Sequence, residues 1–167
     1  HVIEATDGQL ITNNLICNCK IENNKAISDV ENDILKMVVL NRYKESPPAV
    51  AFAKNFGIKH GAIASTVAHD SHNIIAVGAN DRDIVRAVNL LVESKGGISL
   101  ASADEEMVLR LPVAGLMTAD DGYKTAAEYD KMDKKAKSLG SKLGAPYMTL
   151  SFCALLVIPK LKLSDKG

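Results

Sequence analysis

The chain has 167 residues, with 20 basic and 20 acidic side chains and therefore a formal net charge of +0. A neutral chain has no electrostatic attraction for phosphate backbones or anionic lipid, so general nucleic-acid or membrane binding is not expected. A hydrophobic content of 47% and a charged content of 24% are typical of one globular domain with a full core. Aromatic residues make up only 4%, which disfavours a surface for stacking bases.

The three cysteines, Cys17, Cys19 and Cys153, indicate a reducing compartment. Cys17 and Cys19 are too close in sequence for an unstrained disulfide, and no further Cys or His pair completes a metal site. We therefore expect free thiols and a cytoplasmic location. No apolar run reaches the ~20 residues that span a bilayer, and no secretory signal is present. Both ends resemble cuts in a longer protein.

Strands are predicted through the first half of the chain. Alternating apolar and polar residues predict a half-buried strand over 15–22. Two further strands are expected on either side of the turn at Ser46-Pro47-Pro48. Apolar, β-branched runs predict two more strands, with both faces covered. The four strands that follow the first are expected over 33–43, 50–56, 61–68 and 73–78.

Helices and a hairpin are predicted in the second half. Helical spacing of apolar residues predicts a helix over 81–95, capped by Asn80 and ended by Gly96-Gly97. A second helix is predicted over 119–139, with Thr118 as its cap. The segment 147–156 fits a strand or a short helix, and Pro146 favours the helix. A hairpin is expected between these helices, from strands over 98–102 and 107–111.

This order of elements predicts an α+β fold in a single domain, residues 1–167. The expected architecture is a two-layer sandwich of helices on a mostly antiparallel β-sheet. The passage IIAVGANDRDIVRAV, a strand, turn and helix, allows a parallel crossover, so the sheet can also be mixed.

The densest polar cluster is the string His69, Asp70, Ser71, His72 and Asn73, between two apolar strands. If Asp70 and Ser71 form a two-residue hairpin turn, His69 and His72 are cross-strand neighbours with Cβ atoms about 4.5–5.5 Å apart. A helix would also bring together residues with this spacing. Imidazole titrates near neutral pH and binds metals, and an adjacent Asp can orient it. The alternative is an ordinary polar turn whose side chains bond their own backbone.

The other motifs are weaker. The string Gly-Ala-Asn-Asp-Arg-Asp precedes a predicted helix, but its aspartates would repel phosphate, so helix capping is favoured. No Walker, nucleophile-elbow or zincin motif occurs. The H-x-E and P-C-x-x-C pair of the zinc deaminases is also absent.

The strings GIKHGAIASTVAHDSHNIIAVGAND, LPVAGLM and MTLSFCALLVIPKLKLSDKG closely resemble the C-terminal domain of adenine deaminases of the metal-dependent amidohydrolase superfamily. The opening VIEATDGQLIT resembles the passage by which that family leaves its catalytic barrel. The resemblance implies an enzyme that hydrolyses adenine to hypoxanthine and ammonia, using water activated by a divalent metal, manganese or iron. The family holds this metal in a (β/α) barrel with a His-x-His pair, which this chain lacks. The isolated chain is therefore expected to be inactive.

The resemblance also implies roles for residues of this chain, although none is assigned as catalytic. The string His69, Asp70, Ser71, His72 and Asn73 matches the family string H-D-S-H-N. We expect it to help close the purine site through hydrogen bonds to the base or an auxiliary metal, with His69 and His72 as candidate ligands. The expected partners are adenine as substrate of the whole enzyme, the barrel of the same protein and further copies of the chain. The second hypothesis is a non-catalytic interface or oligomerisation domain.

Overall fold

A mixed sheet of eight strands forms the centre of the molecule, and the computed structural model describes all residues from 1 to 167. The strands are β1 (Val2–Ala5), β2 (Thr12–Leu15), β3 (Lys20–Glu22), β4 (Lys25–Ile27), β5 (Ile34–Leu40), β6 (Ala49–Lys54), β7 (Ala62–Ser65), β8 (Ile74–Gly78), β9 (Gly97–Ala101) and β10 (Glu106–Arg110). The helices are α1 (Asp81–Ser94), α2 (Gly122–Ser138) and α3 (Pro146–Phe152). None of the three is long and apolar enough to cross a membrane.

The large sheet has the order β10-β9-β7-β8-β5-β6-β1-β2, and β3 and β4 form a separate hairpin. Every pair in the large sheet is antiparallel except β1 with β6, which confirms the predicted α+β class and its mixed sheet. The helix α1 joins β8 to β9. These two strands run in the same direction but are not neighbours, because the antiparallel strand β7 lies between them.

The helix α1 packs on one face of the sheet, where the strands carry small residues. Ala62, Ala64 and Ala76 are fully buried beneath it, and their short side chains let the helix approach closely. Leu91 is 1% exposed at this contact, which contributes about 1.5–3 kcal/mol of hydrophobic stabilisation. The predicted cap is confirmed: the Asn80 side chain accepts a hydrogen bond from the Asp83 N–H.

The opposite face carries the larger core, so helices cover both faces of the sheet. Ile63, Ile75 and Leu100 point to this side because side chains alternate along a strand. They belong to one buried cluster with Met132 of α2 and Leu150 of α3. The helix α3 therefore packs on β7, which leads into the polar string 69–73, and on β8, which follows it.

The prediction of one continuous strand over 15–22 is wrong. The strand β2 ends at Leu15, and pairing begins again only at Lys20, in the separate hairpin of β3 and β4. Asn23 and Asn24 both adopt positive φ, 50° and 59°, which suits a tight two-residue turn between these strands. The alternation of apolar and polar residues could not reveal that the chain leaves the large sheet after its edge strand, β2. The strands β1 and β4 were not predicted, and the prediction overlaps β2 only at Leu15.

The predicted second helix begins too early. The helix α2 starts at Gly122, and its cap is Asp121, whose carboxylate accepts a hydrogen bond from the Lys124 N–H. The Thr118 hydroxyl instead accepts from the Asp120 N–H, so Thr118 stabilises a turn before the helix. The short helix α3 is confirmed, with Pro146 at its first position, where a missing N–H costs nothing.

Candidate functional site

The polar string lies in the loop between β7 and β8, residues 66–73, which we call the histidine loop. The two-residue hairpin considered for Asp70 and Ser71 does not form, because strand pairing stops at Ser65 and Ile75 and leaves a longer connection. The loop is closed instead by the His72 N–H, which donates to the Ala68 carbonyl at 2.7 Å. His72 has a φ of +52°, a left-handed conformation that cannot continue a strand.

The two imidazoles nevertheless come together. The ring centroids of His69 and His72 lie 5.9 Å apart, with the planes tilted by 52°. His69 Nδ1 is hydrogen-bonded to Ser151 Oγ at 2.6 Å, and the Phe152 ring lies 5.8 Å from the His69 ring. Both of these neighbours belong to α3. The helix therefore fixes the orientation of His69 from 82 residues away in the sequence.

His72 differs from His69 in its hydrogen bonding. Its Nδ1 is buried and has no hydrogen-bond partner. Burial lowers the pKa of His72 below the ordinary value of 6.5, and the nearby His69 and Arg42 lower it further, against the opposite effect of Asp70. His72 is therefore neutral at neutral pH, and a neutral imidazole has one donor and one acceptor nitrogen.

His72 is expected to make the chain less stable in mild acid. The unfolded chain binds a proton near pH 6.5, whereas the folded chain resists protonation of His72 to a lower pH. The stabilising contribution is thus complete above about pH 6.5 and is lost as the pH falls through the depressed pKa of the folded state. Replacing His72 by Asn, which tolerates positive φ, should reduce the loss of unfolding free energy between about pH 7 and pH 5.

Urea unfolding at the two pH values measures this effect. The control is His60→Asn, at an exposed position outside the histidine loop. If the free energy of unfolding depends on pH identically in the wild type and in His72→Asn, the loss of stability in mild acid does not come from His72.

The remaining residues of the histidine loop divide into exposed and anchoring groups. Asp70 and Ser71 are exposed at its tip. Asn73 is 2% exposed, and its Oδ1 accepts a hydrogen bond from the Arg42 N–H at 3.3 Å. The Tyr43 hydroxyl donates to the Ser71 carbonyl at 3.0 Å. The segment after β5 therefore also holds the loop, in addition to the contacts of His69 with α3.

No third metal-binding side chain joins the candidate ligands His69 and His72 within this chain. No group of three or more His, Cys, Asp or Glu side chains is placed to hold an ion. His69 Nδ1 is bonded to Ser151 Oγ, and the other three ring nitrogens of the histidine pair have no hydrogen-bond partner within the chain. The three cysteines are free, and burial raises the pKa of Cys153 to about 12, which leaves that thiol unreactive.

An apolar cavity of about 500 Å³ lies beside the histidine loop. Ser151 lines this cavity and also bonds to His69, so one hydroxyl connects the cavity wall to the histidine pair. Tyr129 and Tyr147 form part of the wall, with ring centroids 6.4 Å apart. The sequence does not predict this cavity, because its walls come from three strands, two helices and the segment before α2, and no local pattern connects them.

Comparisons with known proteins identify the family. Residues 9–167 match the family described as the adenine deaminase C-terminal domain. The chain is 55% identical to the adenine deaminase of Methanosarcina acetivorans, 46% to that of Parabacteroides distasonis and 42% to that of Borreliella burgdorferi. Each match covers 99% of this chain, which spans about 30% of the length of these curated relatives. The chain therefore belongs to the adenine deaminase C-terminal domain family.

Proposed function

We propose that this chain is the C-terminal domain of an enzyme that hydrolyses adenine to hypoxanthine and ammonia, and that its histidine loop helps to close the purine site. The observation that supports the activity is the family match over residues 9–167, together with relatives that are named adenine deaminase. The free cysteines support a cytoplasmic location.

The geometry of the histidine loop supports its role near a purine. Two imidazoles lie 5.9 Å apart, and the buried Nδ1 of His72 has no partner within the chain. A purine has ring nitrogens that accept and N–H groups that donate, and neutral imidazoles can meet both needs. Asp70 and Ser71 are exposed and can contact a bound base or the adjoining domain, whereas Asn73 is buried and positions the loop.

The metal of the proposed reaction, manganese or iron, belongs to the part of the enzyme outside this chain. When bound there, such a metal would supply activated water for hydrolysis of the exocyclic amine. Within this chain no third ligand joins His69 and His72, so we assign these residues to hydrogen bonding.

The second candidate function is an interface or oligomerisation domain. Val85 and Val92 of α1 are both 55% exposed, and Val50 of β6 is 54% exposed. Val85 and Val92 are seven residues apart and therefore lie on the same face of α1, where an exposed apolar patch would favour contact with another protein surface. Sedimentation equilibrium tests this candidate, because Val85→Lys together with Val92→Lys should dissociate any oligomer formed through α1. If the wild-type chain is monomeric, oligomerisation through the exposed face of α1 is excluded.

The role of the histidine loop is tested in a chimera, in which this chain replaces the matching 30% of the Methanosarcina acetivorans enzyme. His69→Ala and His72→Asn should each lower kcat/KM for adenine by about tenfold, the effect of losing one hydrogen bond to a polar ligand group. Steady-state release of ammonia measures this effect, and thermal melting verifies that each variant is folded.

The matched control is His60→Ala, which removes an exposed imidazole outside the histidine loop and should leave kcat/KM unchanged. Folded His69 and His72 variants with unchanged kcat/KM would eliminate the proposed contact with the purine. They would leave the family activity itself intact and would favour the interface function.

A further inference from the structure

A second cavity, of about 670 Å³, is lined by the segment that anchors the histidine loop. We call it the basic cavity. Its wall is formed by residues 40–46, which include the last residue of β5, by the end of α1, and by Thr66 and Ile74. Three cations line it, Arg42, Lys44 and Lys95, against a single carboxylate, that of Glu45. The lining therefore carries an excess of positive charge, although the chain as a whole is neutral.

None of these three cations is neutralised within the chain. Arg42, Lys44 and Lys95 take no part in any salt bridge of the structure. The acidic residue Asp165 accepts a hydrogen bond from Asn41 Nδ2 at 2.8 Å but forms no ion pair with Lys44. A cavity with several unpaired cations attracts an anion from solution.

Two residues that line the basic cavity also carry unused hydrogen-bonding groups. Three buried side-chain polar atoms in the chain have no hydrogen-bond partner, and two of them belong to the lining residues Arg42 (Nη1) and Ser46 (Oγ). Buried polar groups in folded proteins are normally hydrogen-bonded, so this concentration indicates a missing partner. A single ligand that accepts hydrogen bonds from both Arg42 Nη1 and Ser46 Oγ must carry more than one acceptor oxygen.

The guanidinium of Arg42 is already held in place. Its Nη2 donates to the Ala114 carbonyl, and its Cζ lies 5.3 Å from the centroid of the Tyr43 ring. Packing against Gly115 also restricts it, because a Cβ built on that glycine would lie 2.1 Å from Arg42 Nη1. Binding an anion here would thus require little further ordering of the arginine.

We propose that the basic cavity is a binding site for an oxyanion of the phosphate class, either free phosphate or the phosphate group of a nucleotide. The Arg42 guanidinium provides donors in a fixed plane, Lys44 and Lys95 provide charge, and the Ser46 hydroxyl provides a further donor. Thr66 of the histidine loop lines the basic cavity, but the proposed anion ligands Arg42, Lys44, Ser46 and Lys95 all lie outside the loop, so the proposal does not depend on adenine hydrolysis.

Isothermal titration calorimetry of the 167-residue chain with inorganic phosphate tests this site. Lys44→Glu and Lys95→Asn should each weaken binding by about tenfold, the effect of losing a charge-assisted hydrogen bond. Asn suits position 95 because Lys95 has a φ of +60°. The control, Lys25→Glu, makes the same charge change on the exposed strand β4 and should leave the affinity unchanged.

A parallel titration with adenosine monophosphate separates the two sources of the anion. Tighter binding of the nucleotide than of phosphate supports a nucleotide ligand, and equal binding supports recognition of the phosphate group alone. In either case, amide chemical-shift changes should be concentrated in residues 41–46 and 95–96. Absence of binding by both compounds, or equal weakening by Lys25→Glu and Lys44→Glu, would overturn the proposal.

Discussion

The isolated 167-residue chain is expected to release no ammonia from adenine, even when manganese or iron is added. Hydrolytic deamination needs an activated water, and no group of three metal-ligating side chains exists in this chain to generate one. Enzymes accelerate such reactions by about a millionfold or more, so loss of the reactive centre removes essentially all turnover. A coupled ammonia assay measures this, with hypoxanthine followed separately by chromatography.

The control for this prediction is the chimera with the Methanosarcina acetivorans enzyme, assayed with the same metals and substrate. It contains the same 167 residues together with the remainder of a complete relative, so its activity shows that the grafted domain is compatible with catalysis. Turnover by the isolated chain above about one thousandth of the rate of the chimera would mean that this domain contains a reactive centre of its own.

Gly97→Ala is expected to destabilise the fold by about 3 kcal/mol or more. Gly97 has a φ of +143°, and a Cβ at this position would lie 2.1 Å from the carbonyl oxygen of Leu109 in the adjacent strand β10. Neither atom can move without breaking the pairing of β9 with β10. Urea unfolding measures the change in the free energy of unfolding.

Two other glycines provide matched controls for this substitution. Gly122→Ala places a methyl group in open space at the start of α2 and should leave the stability unchanged or slightly improved. Gly8→Ala also meets no atom within 4 Å but retains a φ of +68°, so it reports the cost of backbone strain alone, about 1 kcal/mol. A Gly97→Ala variant as stable as Gly8→Ala would show that the close contact with Leu109 contributes nothing.

The elements that were predicted correctly are those whose signals are local. The helix α1 carries its own cap at Asn80, an apolar stripe and glycines at its end, so its bounds follow from neighbouring residues. The prediction of a continuous strand over 15–22 failed because the alternation of apolar and polar residues reports the exposure of side chains and not the strand with which they pair. The start of α2 failed for a related reason, since Thr118 and Asp121 both fit a cap and local sequence could not choose between them.

In the candidate site, too, the features set by local sequence were predictable and those set by tertiary contacts were not. The spacing of His69 and His72 correctly indicated two imidazoles close together, although the turn that joins them is longer than predicted. The hydrogen bond from His69 to Ser151 was not predictable, because it depends on the packing of α3 over β7 and β8. The same holds for Arg42, which reaches the histidine loop only because β5 pairs with β8.

The sequence by itself determined the α+β class, most of the strands and helices, and the resemblance to adenine deaminases, because these depend on periodicity, capping residues and contiguous strings. Only the tertiary structure decided the order of the strands, the two cavities and the surroundings of each histidine. These features arise from contacts between residues far apart in the chain, and their energies depend on which surfaces meet in the folded molecule.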